Sequence, residues 1–213
     1  AQLEAKGKTD ILEMMNAELA SAGEMSFTRQ MQPKGLGHAV WCARDIVGDE
    51  PFAVILPDVI VDAQPGALRQ LADVYAEVGG NVIGVEQVPH DQTHKYGIVD
   101  PEARDGRRIR MKGMVEKPPR GEAPSNLSIS GRYILQPEIF GILEKTERGA
   151  GGEIQLTDGM ARLMRDQTFT AVEYEGVTHD CGDKIGLLRA NVALALKRPD
   201  LGEAARAAIT ALL

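Results

Sequence analysis

Pro51-Phe52-Ala53-Val54-Ile55-Leu56-Pro57-Asp58-Val59 is the stretch that sets the fold class. Four apolar residues in a row, Ala53 to Leu56, fenced by Pro51 and Pro57, read as a buried parallel strand, since a strand covered on both faces needs no polar alternation. Downstream, Pro65 opens a helix through Leu68, Leu71, Val74 and Val78, and Gly79-Gly80 close it. Asn81 to Val88 is the next strand. Upstream, Asp10 with Glu13 is a cap signature ahead of Ile11, Met15 and Leu19 at helical spacing, stopped by Gly23. Met25 to Gln30 alternates weakly and reads as a strand, and Gly37 to Arg44 suits a short helix. Helix and strand therefore alternate three times. That order predicts a mostly parallel central sheet with helices on its faces.

The middle third changes character. Gly97 to Asp100, Ile109 to Met111, Met114 to Glu116 and Ser128 to Leu135 are short strands separated by Gly, Pro and Asp, the pattern of an antiparallel insertion. Helices follow at about Pro137 to Glu144 and Thr157 to Arg165, then strands at Thr168 to Tyr174 and Val177 to Asp180. A helix from Lys184 to Leu196 and another from Leu201 onward end the chain. The reading is one α/β domain over residues 1–198 and a C-terminal helix over 199–213. Leu201, Ala204, Ala205, Ala208, Ile209 and Leu212 line one face of that helix, packed on its own domain or serving as a subunit contact.

Composition narrows the function classes. The 213 residues suffice for one well-buried domain. No apolar run reaches the roughly 18 residues of a membrane span, and the polar opening, Ala1 to Lys8, is no secretory signal. A formal net charge of −7 argues against a nucleic-acid groove. Phosphates then need a local device: a metal ion, a lysine or a helix N-terminus. Cys42 and Cys181 make no disulfide framework, so a reducing cytoplasm is the expected compartment. The chain starts with Ala in a helix-like stretch, so a processed or trimmed N-terminus is expected.

Asp58 directly follows the apolar run, at the carboxyl edge of the predicted sheet where open α/β folds bind ligands. A carboxylate there suits Mg²⁺, which prefers oxygen donors and takes few protein groups; a turn-forming Asp is the plainer reading, and on position alone the two stand level. Asp180, in His179-Asp180-Cys181-Gly182, again ends a strand. A zinc site is not supported, because neighbours on a strand face opposite ways and no second Cys or His pair stands at ligand spacing. Nothing near Cys181 marks it as a nucleophile. Glu116-Lys117-Pro118 sets a hydroxyl acceptor beside a point charge for phosphate, a weak signal alone. Gln30 and Gly35-Leu36-Gly37 are weaker still.

The ordered set is nevertheless distinctive: Arg29-Gln30, Lys34-Gly35-Leu36-Gly37-His38-Ala39, Leu56-Pro57-Asp58-Val59, Tyr96-Gly97, Val115-Glu116-Lys117-Pro118, Pro124-Ser125-Asn126-Leu127, Gly131-Arg132-Tyr133, Glu153-Ile154-Gln155-Leu156-Thr157-Asp158 and His179-Asp180-Cys181-Gly182. From the first helix to about Leu196 it closely resembles the bacterial UTP–glucose-1-phosphate uridylyltransferases.

The resemblance implies a Rossmann-like nucleotide-diphospho-sugar transferase fold and the chemistry UTP plus glucose 1-phosphate to UDP-glucose and pyrophosphate, with Mg²⁺ as cofactor and a homodimer or homotetramer as assembly. It also implies roles. Gln30 would read the base, Gly35 would admit it to the backbone, and Asp58 and Asp180 would hold the metal. Gly97, Glu116 and Ile129 would surround the glucose, and Lys117 would face the sugar phosphate. The 153–158 segment is support rather than chemistry. Such enzymes begin with a strand and a glycine-rich loop that grips the triphosphate, a segment not seen before Ala1. Asp183 stands where Asn is expected. Two other readings are a relative using dTTP or another sugar 1-phosphate, and a silent sugar-nucleotide-binding regulator.

Overall fold

β-Branched and aromatic runs supply the strands, and the apolar stripes at helical spacing cover them. The computed structural model describes residues 6–17, 19–21 and 23–212. The helices are α1 (Thr9–Ala17), α2 (Leu36–Trp41), α3 (Arg44–Val47), α4 (Ala67–Val78), α5 (Ile139–Glu144), α6 (Leu156–Leu163), α7 (Lys184–Lys197) and α8 (Gly202–Thr210). The strands are β1 (Phe52–Ile55), β2 (Val59–Asp62), β3 (Asn81–Gln87), β4 (Gly97–Asp105), β5 (Arg108–Glu116), β6 (Leu127–Leu135), β7 (Phe169–Glu173) and β8 (Val177–Asp180). No described helix is long and apolar enough to cross a membrane.

The main sheet has six strands in the order β1-β6-β3-β7-β5-β4, and β2 and β8 form a separate ribbon. This corrects the expectation of a mostly parallel sheet. Strands β1, β3 and β7 do share one direction, but β6 runs the other way between β1 and β3, and β5 the other way beside β7. Among the described residues β3–β7 is the one parallel pair. Helical crossovers set the direction of the strands they join; they do not decide which later strand slips in between. Among the described strands β1 lies at an edge. Its residues alternate between half-buried and exposed, and Ile55 is 53% exposed, where a doubly covered strand was expected.

Period-2 alternation divides the core between two faces. On one, Ile83 and Val85 of β3, Val99 of β4, Ile109 of β5 and Leu135 of β6 pack under Ile139, Phe140 and Leu143 of α5 and Leu156, Met160 and Leu163 of α6. On the other, Val82, Ile134 and Val172 pack under Ala67, Leu71 and Val74 of α4. Two upstream expectations fail. Met25 to Gln30 pairs with no strand, and α1 stops at Ala17 with no buried residue, so Leu19 lies outside it. Local alternation makes a strand only where a sheet edge is at hand to take its hydrogen bonds. The C-terminal α8 packs on α7 and buries none of its residues fully.

Two features of this topology place the candidate residues. The start of β4 pairs with both neighbours, Gly97 with Glu116 and Ile98 with Ser128, so the sheet curls and gathers three strands at that end. The β2–β8 ribbon is antiparallel with Val59 opposite Asp180, which sets the turn before β2 beside the end of β8.

Candidate active site

Asp58 and Asp180, distant in sequence, meet through that ribbon. The Cys181 amide donates to the Asp58 carbonyl at 2.7 Å, and the Gly182 amide donates to Asp180 Oδ1 at 2.9 Å. A β-carbon built on Gly182 would lie 3.1 Å from Asp180 Oδ1 and 3.6 Å from Asp58 Oδ2. Both carboxylates therefore face one point above a residue without a side chain. Both residues are exposed, and among the described residues neither has an ion pair. Two unpaired carboxylates held this close repel each other, and the arrangement favours a bound cation.

The turn carrying Asp58 is braced from below by Arg132, which is only 8% exposed. Its guanidinium donates to the carbonyls of Leu56 at 3.2 Å and Gly131 at 3.1 Å, and to that of Val59. Arg132→Met keeps the stem but removes the shared donor from all three carbonyls, leaving those of Gly131 and Leu56 with the backbone amides of Leu56 and Val59 alone. We expect a loss of roughly 2–4 kcal/mol of stability, by analogy with other buried charge-assisted bonds. Chemical denaturation checks it; an unchanged midpoint would remove Arg132 as a brace.

A second point of convergence lies at Gly97. A β-carbon there would sit 3.0 Å from Thr157 Oγ1, 3.1 Å from Glu116 Oε2 and 3.2 Å from Ile129 Cδ1. Gly97, Glu116 and Ile129 thus share one small space, and Thr157, in the first turn of α6, is its fourth wall. Thr157 is 8% exposed, and its hydroxyl has no hydrogen bond to the described residues. Lys117 adjoins. It is the one described non-glycine residue with positive φ, 46°, and its amide donates to the Tyr96 carbonyl at 3.0 Å. Its Nζ lies 3.7 Å from Glu116 Oε1. A left-handed lysine at a strand end is a strained placement kept by its surroundings.

Gln30 sits apart from the strands. Its Nε2 donates to the Gly35 carbonyl at 3.0 Å and lies 2.9 Å from His38 Nδ1. Among the described residues its carbonyl oxygen has no partner, so here the amide offers an acceptor rather than both functions. Gly35 has φ 104°, and a β-carbon on it would come within 2.7 Å of the Ile154 carbonyl and of Glu153 Cβ. Its missing side chain therefore serves chain packing. The Ile154 amide donates to the Lys34 carbonyl at 2.7 Å and the Gly37 amide to the Ile154 carbonyl at 2.9 Å. The 153–157 segment thus ties the Gln30–Gly35 loop to the Thr157 wall. Burial, with Lys34 as a lesser cause, lowers the pKa of His38, so its ring is neutral at pH 7.

The two points of convergence share one field. Burial raises the pKa of Tyr133, and the charges of Glu116 and then Asp58 add to the shift. Tyr96 is likewise raised, first by burial and then by Asp180, Glu86 and Asp183. The result is a negative corner beside the Gly97 convergence.

A profile of the nucleotidyl transferase family matches residues 8–196. The UTP–glucose-1-phosphate uridylyltransferase of Bacillus subtilis (strain 168) is 50% identical over 199 residues, which is 93% of this chain and 68% of the relative. The chain belongs to the nucleotidyl transferase family, among its UTP–glucose-1-phosphate uridylyltransferases. A UTP-bound uridylyltransferase from Acinetobacter baumannii superposes with a TM-score of 0.85 at 41% identity, covering all of this chain and 74% of that one. A UDP-glucose pyrophosphorylase complexed with UDP-glucose superposes at 0.79 with 38% identity, covering 81% of this chain. This chain spans only 66% of that structure's length.

Nucleotidyl transferases of this kind typically use a divalent metal, and the donors present fit one kind better than another. Among the described residues no three His, Cys, Asp or Glu side chains form the kind of ligand cluster that a closed zinc site uses. Two carboxylates with open space above them match a hard ion that takes its other ligands from phosphate and water. Sequence reading missed Arg132 as a brace and Thr157 as a wall. A buried arginine beside glycine, and a threonine two residues into a helix, carry no local mark of a ligand site.

Proposed function

We propose that this chain carries the uridylyl-transfer chemistry of its relatives, joining UTP to glucose 1-phosphate with release of pyrophosphate. The observation that supports it most is the pairing of Asp58 with Asp180 beside the Gly97–Glu116–Ile129–Thr157 space. A sugar-phosphate oxygen, ionised at neutral pH, attacks the α-phosphorus of UTP. The new P–O bond forms as the bond from the α-phosphorus to the bridging oxygen of the β-phosphate breaks in line. No proton has to be removed, so the step needs no general base. Mg²⁺, when bound, neutralises phosphate charge.

The residues do the rest. Asp58 and Asp180 hold the ion, and Lys117 meets the sugar phosphate. Glu116 accepts from ring hydroxyls, and Gly97 and Ile129 shape the space around the ring. Gln30 offers its carbonyl oxygen to the base edge, and Gly35 keeps that loop close to the 153–157 segment. Asp183 adds no ligand in this reading. The catalytic unit covers residues 1–198. Exposed Ile185, Leu187, Leu188 and Leu201 on α7 and at the start of α8 support a homo-oligomeric contact, a dimer or tetramer.

Glu116→Gln removes a charged acceptor from one substrate only. We expect KM for glucose 1-phosphate to rise about tenfold, with KM for UTP unchanged. A change confined to UTP would contradict the assignment. The reading as a whole is tested by Mg²⁺-dependent pyrophosphate release from UTP and glucose 1-phosphate, matched mole for mole by UDP-glucose. Faster turnover with dTTP would move the chain to the thymidylyl branch, since Gln30 meets the same edge on both bases. UDP-glucose binding without turnover would make it a silent relative.

A further inference from the structure

Helix α7 is long, yet of its 14 residues only Ala190 is buried. Its body is held by Ala190, the half-buried residues 192–196 and an ion pair from Lys197 to Asp62, and its start by the first turn. Asp183 Oδ1 accepts from the amides of Ile185 and Gly186, both at 2.8 Å, and caps the helix. A β-carbon on Gly186 would stand 1.8 Å from the Asp180 carbonyl oxygen and 3.0 Å from its carbon. The first turn therefore sits directly on the main chain of Asp180 with no room for any side chain. Asp180 is also tied to its partner, because the next amide, Cys181, donates to the Asp58 carbonyl.

We propose that Asp183 and Gly186, neither of which touches substrate, are positioning residues that seat α7 against Asp180 and so fix the spacing of the two carboxylates. The inference deepens the proposed function and rests on its reading of Asp58 and Asp180 as the cation site. Asp183 acts through the geometry of its cap. Its Oδ1 is spent on two amides, and those same bonds, Gly186 first, lower its pKa. Its negative charge is incidental, so an amide in its place keeps the seat.

The test is Mn²⁺ affinity in the presence of UDP-glucose, read by electron paramagnetic resonance and thus independent of turnover. Asp183→Asn keeps an acceptor oxygen and should bind Mn²⁺ within about twofold of wild type. Asp183→Ala loses the cap and should bind about tenfold more weakly or worse, the usual cost of losing a residue that orients a ligand. Gly186→Ala should be at least as weak. Should Gly186→Ala fail to fold, the two Asp183 variants still decide. Wild-type affinity in Asp183→Ala overturns the seat; an Asp183→Asn as weak as Asp183→Ala shows that charge is what matters and overturns it too. A wild-type protein that binds no Mn²⁺ with UDP-glucose overturns the two-carboxylate site itself, and the seat with it.

Discussion

Asp58→Asn is expected to lower turnover by about 10²–10³-fold while leaving the fold and the melting temperature near wild type. The size follows from losing one preorganised charge at the reacting phosphates. The mildness toward the fold follows from geometry. Asp58 is exposed, it sits in a turn, and its main-chain carbonyl accepts from the Cys181 amide, a bond that the substitution spares. Asp180→Asn should behave alike, since its Oδ1 keeps the Gly182 amide as donor. Raising Mg²⁺ should recover part of the loss in each. Steady-state rates across a Mg²⁺ series check this, and wild-type rates throughout would remove the residue from the mechanism.

Gly97→Ala should produce the second large effect, and one of a different kind. Its β-carbon would meet Thr157, Glu116 and Ile129 at 3.0–3.2 Å, filling the space where the ring is proposed to sit. The backbone tolerates the change, because Gly97 has no positive φ. The expected outcome is a rise in KM for glucose 1-phosphate of about 100-fold, with KM for UTP unchanged and stability lowered by about 1–2 kcal/mol for local crowding. Equal effects on both substrates would mean that Gly97 supports the whole cleft.

Part of the candidate site was marked in the sequence, though position alone left Asp58 level with a plain turn residue and the roles came from the family resemblance. Asp58, Glu116 and Asp180 each end an apolar or alternating run, and strand ends are where such folds place chemistry. What stayed hidden was non-local. Nothing near Asp58 says that β2 leaves the main sheet to pair with β8, because the register of two short strands is decided by their neighbours. The antiparallel entry of β6 beside β1 is of the same sort: Ala53 to Leu56 spells a strand but not who lies beside it. Met25 to Gln30 shows the converse error, alternation without a partner. The tight contact of Gly186 with Asp180, and the left-handed backbone of Lys117 ahead of Pro118, exist only once the chain is folded.

One cation held between two aspartates is the claim on which the rest depends. A crystal of the protein grown with UDP-glucose and Mn²⁺, with data collected at the manganese edge, measures it most directly. The account predicts a single anomalous peak within ligand distance, about 2.2 Å, of a carboxylate oxygen of both Asp58 and Asp180 and of the nucleotide phosphates. A peak on neither carboxylate, or two carboxylates turned away from bound UDP-glucose, would contradict it.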